Sequence, residues 1–374
     1  MKKNDFEDIR PYHDEEVPAA IQRISENVHF LEVVNYLFPN IDSKDFIKEF
    51  KGIKTKEAFQ THIMHKVIRT IIDKTMSNFT FNGFEPLNND ISYMFISNHR
   101  DIVLDSALLE VALYESGIKT SEITFGSNLM SSQFIIDIGK VNKMFKISRG
   151  GTLREIFANS IKVSNYMRYA ITEKNESVWI AQRNGRTKDG NDITDMAVLK
   201  MFSMSSEADF VPNLMELNIT PMVISYEYEP CDFFKTREMY ISVNQNYVKQ
   251  ADEDFVSILH GIRQWKGGVN LHICETITED ELVYCDSFPK KEKFKQLALL
   301  IDKRIHKNYK LWKTNYIAND LLHNHSKHAD KYTTADKDKF VDYMEQNLKI
   351  IEGDREKLKK IFLEIYGKAV DNCC

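Results

Sequence analysis

No apolar run in this 374-residue chain approaches the ~18 to 20 residues needed to cross a bilayer. The opening MKKNDFEDIRPYHDEE lacks an apolar h-region, so no secretory signal is expected and the expected location is cytoplasmic. No CxxC pair and no metal-like spacing occurs among Cys231, Cys274, Cys285, Cys373 and Cys374. A disulfide framework is therefore not expected, and the five read as reduced thiols. A basic excess is also missing: 50 Lys and Arg face 55 Asp and Glu, for a formal charge of -5. That balance argues against a dedicated nucleic-acid binder, which needs clear positive charge to displace counterions. Internal repeats and low-complexity tracts are absent as well.

What is present is the composition of an ordinary globular protein, 43% hydrophobic and 28% charged. The length allows about two or three structural units. Up to about residue 85 the pattern is helical: Val17, Ile21 and Ile24 share a face behind Pro18, and Phe59, Ile63, Val67 and Ile71 recur every four residues. Phe38-Pro39-Asn40 and Phe50-Lys51-Gly52 read as breaks between helices. Short apolar runs at 91–97, 122–125, 177–181, 221–227, 239–243 and 269–275 then read as six strands. Helical patterns over 105–115 and from Leu153 to Ile171 lie between them. After Pro289 the pattern is helical again, through Phe294, Leu297, Ile301 and Ile305, with a last helix pair from Phe340 to Ile365.

The expectation is an α/β fold with a central mixed sheet flanked by helices, and helical N- and C-terminal regions. The expected units are a helical region at 1–88, an α/β domain at 89–288 and a helical region at 289–374. His323, His325 and His328 lie in a polar interval without cysteines or an acidic cluster at zinc spacing, so no metal is expected there. His62 and His65 read as polar packing at a helix edge.

Four segments carry chemistry. Ser97-Asn98-His99 ends the strand 91–97, at the edge where open α/β sheets bind ligands, and Asp105 opens the next helix. A histidine supported by an aspartate can serve as general base, although a surface-turn histidine and a helix-capping aspartate give the same spacing. Arg149-Gly150-Gly151 precedes the long helix, whose unpaired N–H groups favour an anion, although taken by itself the segment fits a glycine loop beside a solvated arginine better. Arg183, Arg186 and Lys188, with Gly185 and Gly190, follow the strand 177–181 and suit a phosphate, or else form a solvated basic loop. Thr220-Pro221-Met222-Val223 is a proline-opened core strand.

In this order the four segments resemble the sequence blocks of the glycerolipid acyltransferase superfamily, the glycerol-3-phosphate and 1-acylglycerol-3-phosphate acyltransferases, over roughly residues 90 to 280. Two departures stand out. Five residues separate His99 from Asp105 where the family has four, which makes Asp101 an alternative partner, and Asn184 replaces a common glutamate. The Ser106-Ala107-Leu108 that follows Asp105 matches the family's helix start and favours Asp105.

The resemblance implies acyl transfer from acyl-CoA or acyl carrier protein to a hydroxyl of glycerol 3-phosphate or 1-acylglycerol 3-phosphate, without metal or other cofactor. His99 would be the base and Asp105 its support, while Arg149, Gly150, Gly185, Arg186 and Lys188 would bind acceptor phosphate. Other lysolipids or an acylated amino acid are alternative acceptors, and a non-catalytic lipid-binding protein of the same fold is an alternative from another class. The resemblance also allows peripheral contact with the inner membrane face through residues 129–145, a stretch that fits an amphipathic core segment as well.

Overall fold

The protein is described from a computed structural model, in which residues 6–28, 30–39, 42–244, 247–250 and 252–373 are placed. Cys374 and Asn40 lie outside these residues. The strands are β1 (Met76–Asn82), β2 (Met94–Ser97), β3 (Glu122–Gly126), β4 (Met144–Ile147), β5 (Val178–Ala181), β6 (Ile219–Tyr226) and β7 (Gly267–Ile273). They form one sheet in the order β1-β7-β6-β2-β5-β3-β4. The five strands from β6 to β4 are mutually parallel; β7 runs antiparallel to β6 and pairs in parallel with β1, so the sheet is mixed.

Alternation along the strands divides the core in two. Phe95, Trp179, Met222, Ile224, Tyr226, Val269 and Leu271 face one side, where they pack with the helices Val17–Glu26, His65–Thr75 and Leu104–Glu115. Met94, Ile96, Val178, Ile180, Ile219 and Val223 face the other, against Leu153–Thr172 and Lys293–Asn308. β2 therefore lies between two apolar layers with every residue buried, which is why it reads as a continuous apolar run. A third cluster joins Lys313–Leu322, Thr334–Leu348 and Arg355–Cys373 around Phe340, Phe362 and Tyr366.

The architecture is the expected one, with three corrections. Residues 239–243 are not a strand but part of the helix Asp232–Asn244. The buried positions of that helix, Asp232, Lys235 and Thr236, are polar, so hydrophobic periodicity gave no helical signal, and the short β-branched run prevailed. The N-terminal region is not helical throughout, because it supplies β1 as an edge strand. The helix His65–Thr75 passes into β1 at Met76 with no residue between them, so no turn signal marks the change. The edge strand β4, absent from the six expected strands, has only four residues in which an alternation can show.

Among the described residues, no helix is long and apolar enough to cross a membrane. Of the helix-edge histidines, His65 Nε2 lies 2.8 Å from Glu115 Oε1. His325 Nδ1 lies 2.8 Å from Asp320 Oδ1, and His323 Nε2 lies 3.2 Å from Asp371 Oδ2. No disulfide joins the described cysteines; Cys231, Cys274 and Cys285 are buried.

Candidate active site

Parallel pairing brings the ends of five strands to one edge. His99 follows β2, Asn128 follows β3, Arg149 follows β4, Arg186 follows β5, and Glu229 follows β6. Because β5 adjoins β2, its loop touches the histidine segment: Gln182 N donates to Ser97 O at 2.7 Å, and Thr187 N donates to His99 O at 2.7 Å. Asn98 ties the segment to β6, donating to Ile224 O at 2.9 Å and accepting from Ile224 N at 2.9 Å.

His99 Nδ1 lies 3.0 Å from Asp105 Oδ2. The same oxygen accepts from the backbone N–H groups of Arg100 at 2.6 Å and Asp101 at 2.9 Å, while Oδ1 accepts from the Tyr226 hydroxyl at 2.8 Å. A carboxylate so surrounded by donors acts as an acceptor toward the ring, so Nδ1 is the donor, and in the neutral imidazole the lone pair is on Nε2. Among the described residues the ring makes no other hydrogen bond, and His99 retains 8% exposure.

Asp101 is the helix cap instead. Its Oδ1 accepts from Val103 N at 2.9 Å and Leu104 N at 2.8 Å. The other oxygen, Oδ2, is buried without a hydrogen-bond partner among the described residues, against Gly261, where a Cβ would sit 2.3 Å from it. Glycine at 261 is thus required by the close approach of the helix Glu253–Arg263.

Beneath His99 lies a fully buried set of charges that periodicity could not reveal. The Arg100 guanidinium meets Asp192 at 2.6 Å and Glu229 at 3.3 Å, and stands over the Tyr309 ring. Lys235 Nζ donates to Glu229 at 2.6 Å and to Arg100 O at 2.7 Å. Two cations and two carboxylates compensate one another, as burial of charge demands. Beside them, burial pushes the Asp232 carboxyl up to about 6 although Tyr366 and Tyr343 donate to it at 2.6 and 2.8 Å.

The three expected phosphate ligands stand in different surroundings. Lys188 is ion-paired with Glu238, and burial draws its ammonium below the ordinary lysine value. Arg186 Nη2 donates to Ser257 Oγ at 3.4 Å, and its Nη1 is buried with no hydrogen-bond partner among the described residues. Gly185, at φ 80°, supplies the left-handed turn just before Arg186, whose neighbour Thr187 is bonded to His99 O. Arg149 and Gly150 are exposed just beyond the end of β4, a strand three spacings or roughly 14 Å from β2. Asn128, which like Arg149 borders Gly126, donates from Nδ2 to Asp254 Oδ2 at 2.7 Å, on the helix that also carries Ser257.

The stretch 129–145 mostly packs inward: Phe134, Ile138 and Met144 contact the core, and Val141 is fully buried. Exposed apolar side chains lie just beyond it, at Leu153, Ile156 and Phe157 on the first turns of Leu153–Thr172, in a segment that also carries exposed Arg149 and Arg154.

No protein-family model matches the chain, and no curated protein matches it. Among solved structures it is similar to the 1-acyl-sn-glycerophosphate (LPA) acyltransferase, PlsC, from Thermotoga maritima, at 10% identity and a TM-score of 0.39, over 79% of this chain and 96% of that chain.

Proposed function

We propose that this chain is an O-acyltransferase, moving a fatty acyl group from acyl-CoA or acyl carrier protein to a hydroxyl of glycerol 3-phosphate, 1-acylglycerol 3-phosphate or a related lysolipid. The observation that carries this reading is the oriented pair of His99 and buried Asp105, in which Nδ1 is taken up by the carboxylate and Nε2 has no partner among the described residues, at the edge of the sheet where α/β folds bind ligands. Nε2 takes the proton of the acceptor hydroxyl as its oxygen attacks the thioester carbonyl, and Asp105 stabilises the imidazolium. Collapse of the tetrahedral intermediate breaks the C–S bond, and the departing thiolate recovers the proton from the imidazolium. Arg186 and Arg149 offer positive charge to an acceptor phosphate.

The test is thiol release and acyl transfer by the purified chain, using long-chain acyl-CoA and acyl carrier protein against glycerol 3-phosphate, its 1-acyl derivative and a panel of lysolipids. Folded protein that leaves every thioester intact would end the acyltransferase reading in favour of a lipid-binding protein. The pairing of Lys188 with Glu238 favours keeping non-phosphate acceptors, such as an acylated amino acid, in that panel. Arg186→Glu is expected to raise the acceptor KM about 10- to 100-fold and the thioester KM less than about twofold, the loss of one or two charge-assisted hydrogen bonds. Equal effects on both would remove the phosphate assignment.

A further part of the proposal is peripheral contact with an anionic membrane face through Leu153, Ile156 and Phe157, with Arg149 and Arg154 toward the headgroups. Co-sedimentation with anionic vesicles is expected for the unaltered chain and is expected to fall about tenfold or more when Leu153 and Phe157 are both replaced by aspartate. Wild-type protein that stays in the supernatant would sink this contact.

A further inference from the structure

The carboxylate behind His99 has two oxygens, and they are held from different parts of the fold. Oδ2 collects His99 Nδ1 and the two successive backbone N–H groups of Arg100 and Asp101, all from the loop that separates β2 from the next helix. Oδ1 is held from outside that loop, by the Tyr226 hydroxyl at 2.8 Å, across 121 residues of sequence. We propose that Tyr226 is a positioning residue for the His99–Asp105 pair, its hydroxyl pinning Asp105 Oδ1 so that Oδ2 stays on Nδ1 and the ring keeps the tautomer that leaves Nε2 free. This rests on the reading of His99 as the base.

Three observations carry it. The first is the crowding of donors: a carboxylate can rotate about Cβ–Cγ, and with three donors on one oxygen and none on the other, rotation would share them out and draw Oδ2 from the ring. A donor on Oδ1 removes the reason to rotate, and it also satisfies an acceptor that is otherwise buried and unpaired.

The second is where Tyr226 stands. It closes β6, pairs with Val269 of β7, and is 1% exposed on the sheet face shared with Met222 and Ile224. The hydroxyl is thus placed by the sheet, not by the five-residue interval between His99 and Asp105 that has to adopt an irregular path. The third is its protonation. Burial, with the Asp105 carboxylate beside it, pushes the phenol well above its ordinary value, so it remains a donor at every working pH.

The test replaces Tyr226 by phenylalanine, which keeps the ring and removes the hydroxyl. In wild type the 15N spectrum of the His99 imidazole, assigned with His99→Gln, should show the Nδ1–H tautomer. Tyr226→Phe should show a mixture of tautomers, a kcat lower by about tenfold and both KM values within about twofold, since the loss is in orientation and not in substrate contact. A merely structural hydroxyl would lower Tm and leave tautomer and kcat where they were, and that result overturns the proposal.

Should the phenylalanine variant fail to fold, 3-fluorotyrosine at 226 keeps the shape and makes the hydroxyl a stronger donor. It should shift the Nδ1–H resonance of His99, and an unshifted resonance counts against the role. The tautomer is read without turnover. A chain that transfers acyl groups to no acceptor would therefore fail the base assignment while the spectra still decide what Tyr226 does to the ring.

Discussion

Acyl transfer by His99→Ala is expected to fall about 10²- to 10⁴-fold below wild type, with Tm nearly unchanged, the range that a positioned general base contributes. Alanine leaves the substrate-facing cations of the neighbouring loops intact, so KM for both substrates should move little and the loss should lie in kcat. Asp105→Asn is expected to approach the same loss by a different route. An amide can donate to Nδ1 and would favour the opposite tautomer, with the proton on Nε2. Asp105 also accepts from Arg100 N, Asp101 N and Tyr226, so the asparagine variant should lose stability that His99→Ala keeps. Transfer that survives at wild-type rate in His99→Ala, followed by thiol release, would exclude the base assignment.

The second large effect is expected at Arg100. Its guanidinium is 1% exposed and is met by Asp192 and Glu229. Arg100→Leu would leave two buried carboxylates facing the single ammonium of Lys235. Removing one partner from a buried charge set costs about 3 to 5 kcal/mol, because the remaining charge keeps its desolvation penalty and loses its compensation. Against a total stability of about 5 to 15 kcal/mol, that is a large fraction. Urea unfolding should show a lower midpoint at unchanged slope. A shift worth less than about 1 kcal/mol would mean that water reaches the group, as in an exposed ion pair.

The parts of this site that could be read in the sequence are those where local chemistry and chain direction coincide. Ser97-Asn98-His99 ends an apolar run and Asp105 begins a helical one, so both fall at one sheet edge in any parallel arrangement. The basic loop at Arg186 follows another such run and arrives beside them because β5 neighbours β2. Spacing alone could not choose between Asp101 and Asp105, because both lie within reach of a turn; the choice depends on how the loop folds back, with Asp101 capping the helix and Asp105 meeting the ring.

Pairings across distant segments left no trace in the pattern. Glu238 neutralises Lys188 from a helix whose buried face is polar, and Tyr226 looks like one more aromatic in a buried strand. The two missed strands, β1 and β4, are edge strands, half-exposed or four residues long, where an apolar alternation has little room to develop.

The strand order also governs when such a site can come into being. Thr80 in β1 meets Asn270 in β7 across 190 residues, Ser97 meets Trp179 across 82, and Asn98 meets Ile224 across 126. Closing loops of that size costs chain entropy before any contact returns it, which makes sheets of this topology slow to assemble. β2, apolar on both faces, has to wait for β5 and β6 from much later in the chain, and in that interval it is a sticky, unprotected segment. Until β6 docks, Asp105 has no tyrosine and Asn98 has no strand to grip. The site is thus expected to assemble only after β6 has been made, and the exposure of β2 until then favours aggregation over productive folding.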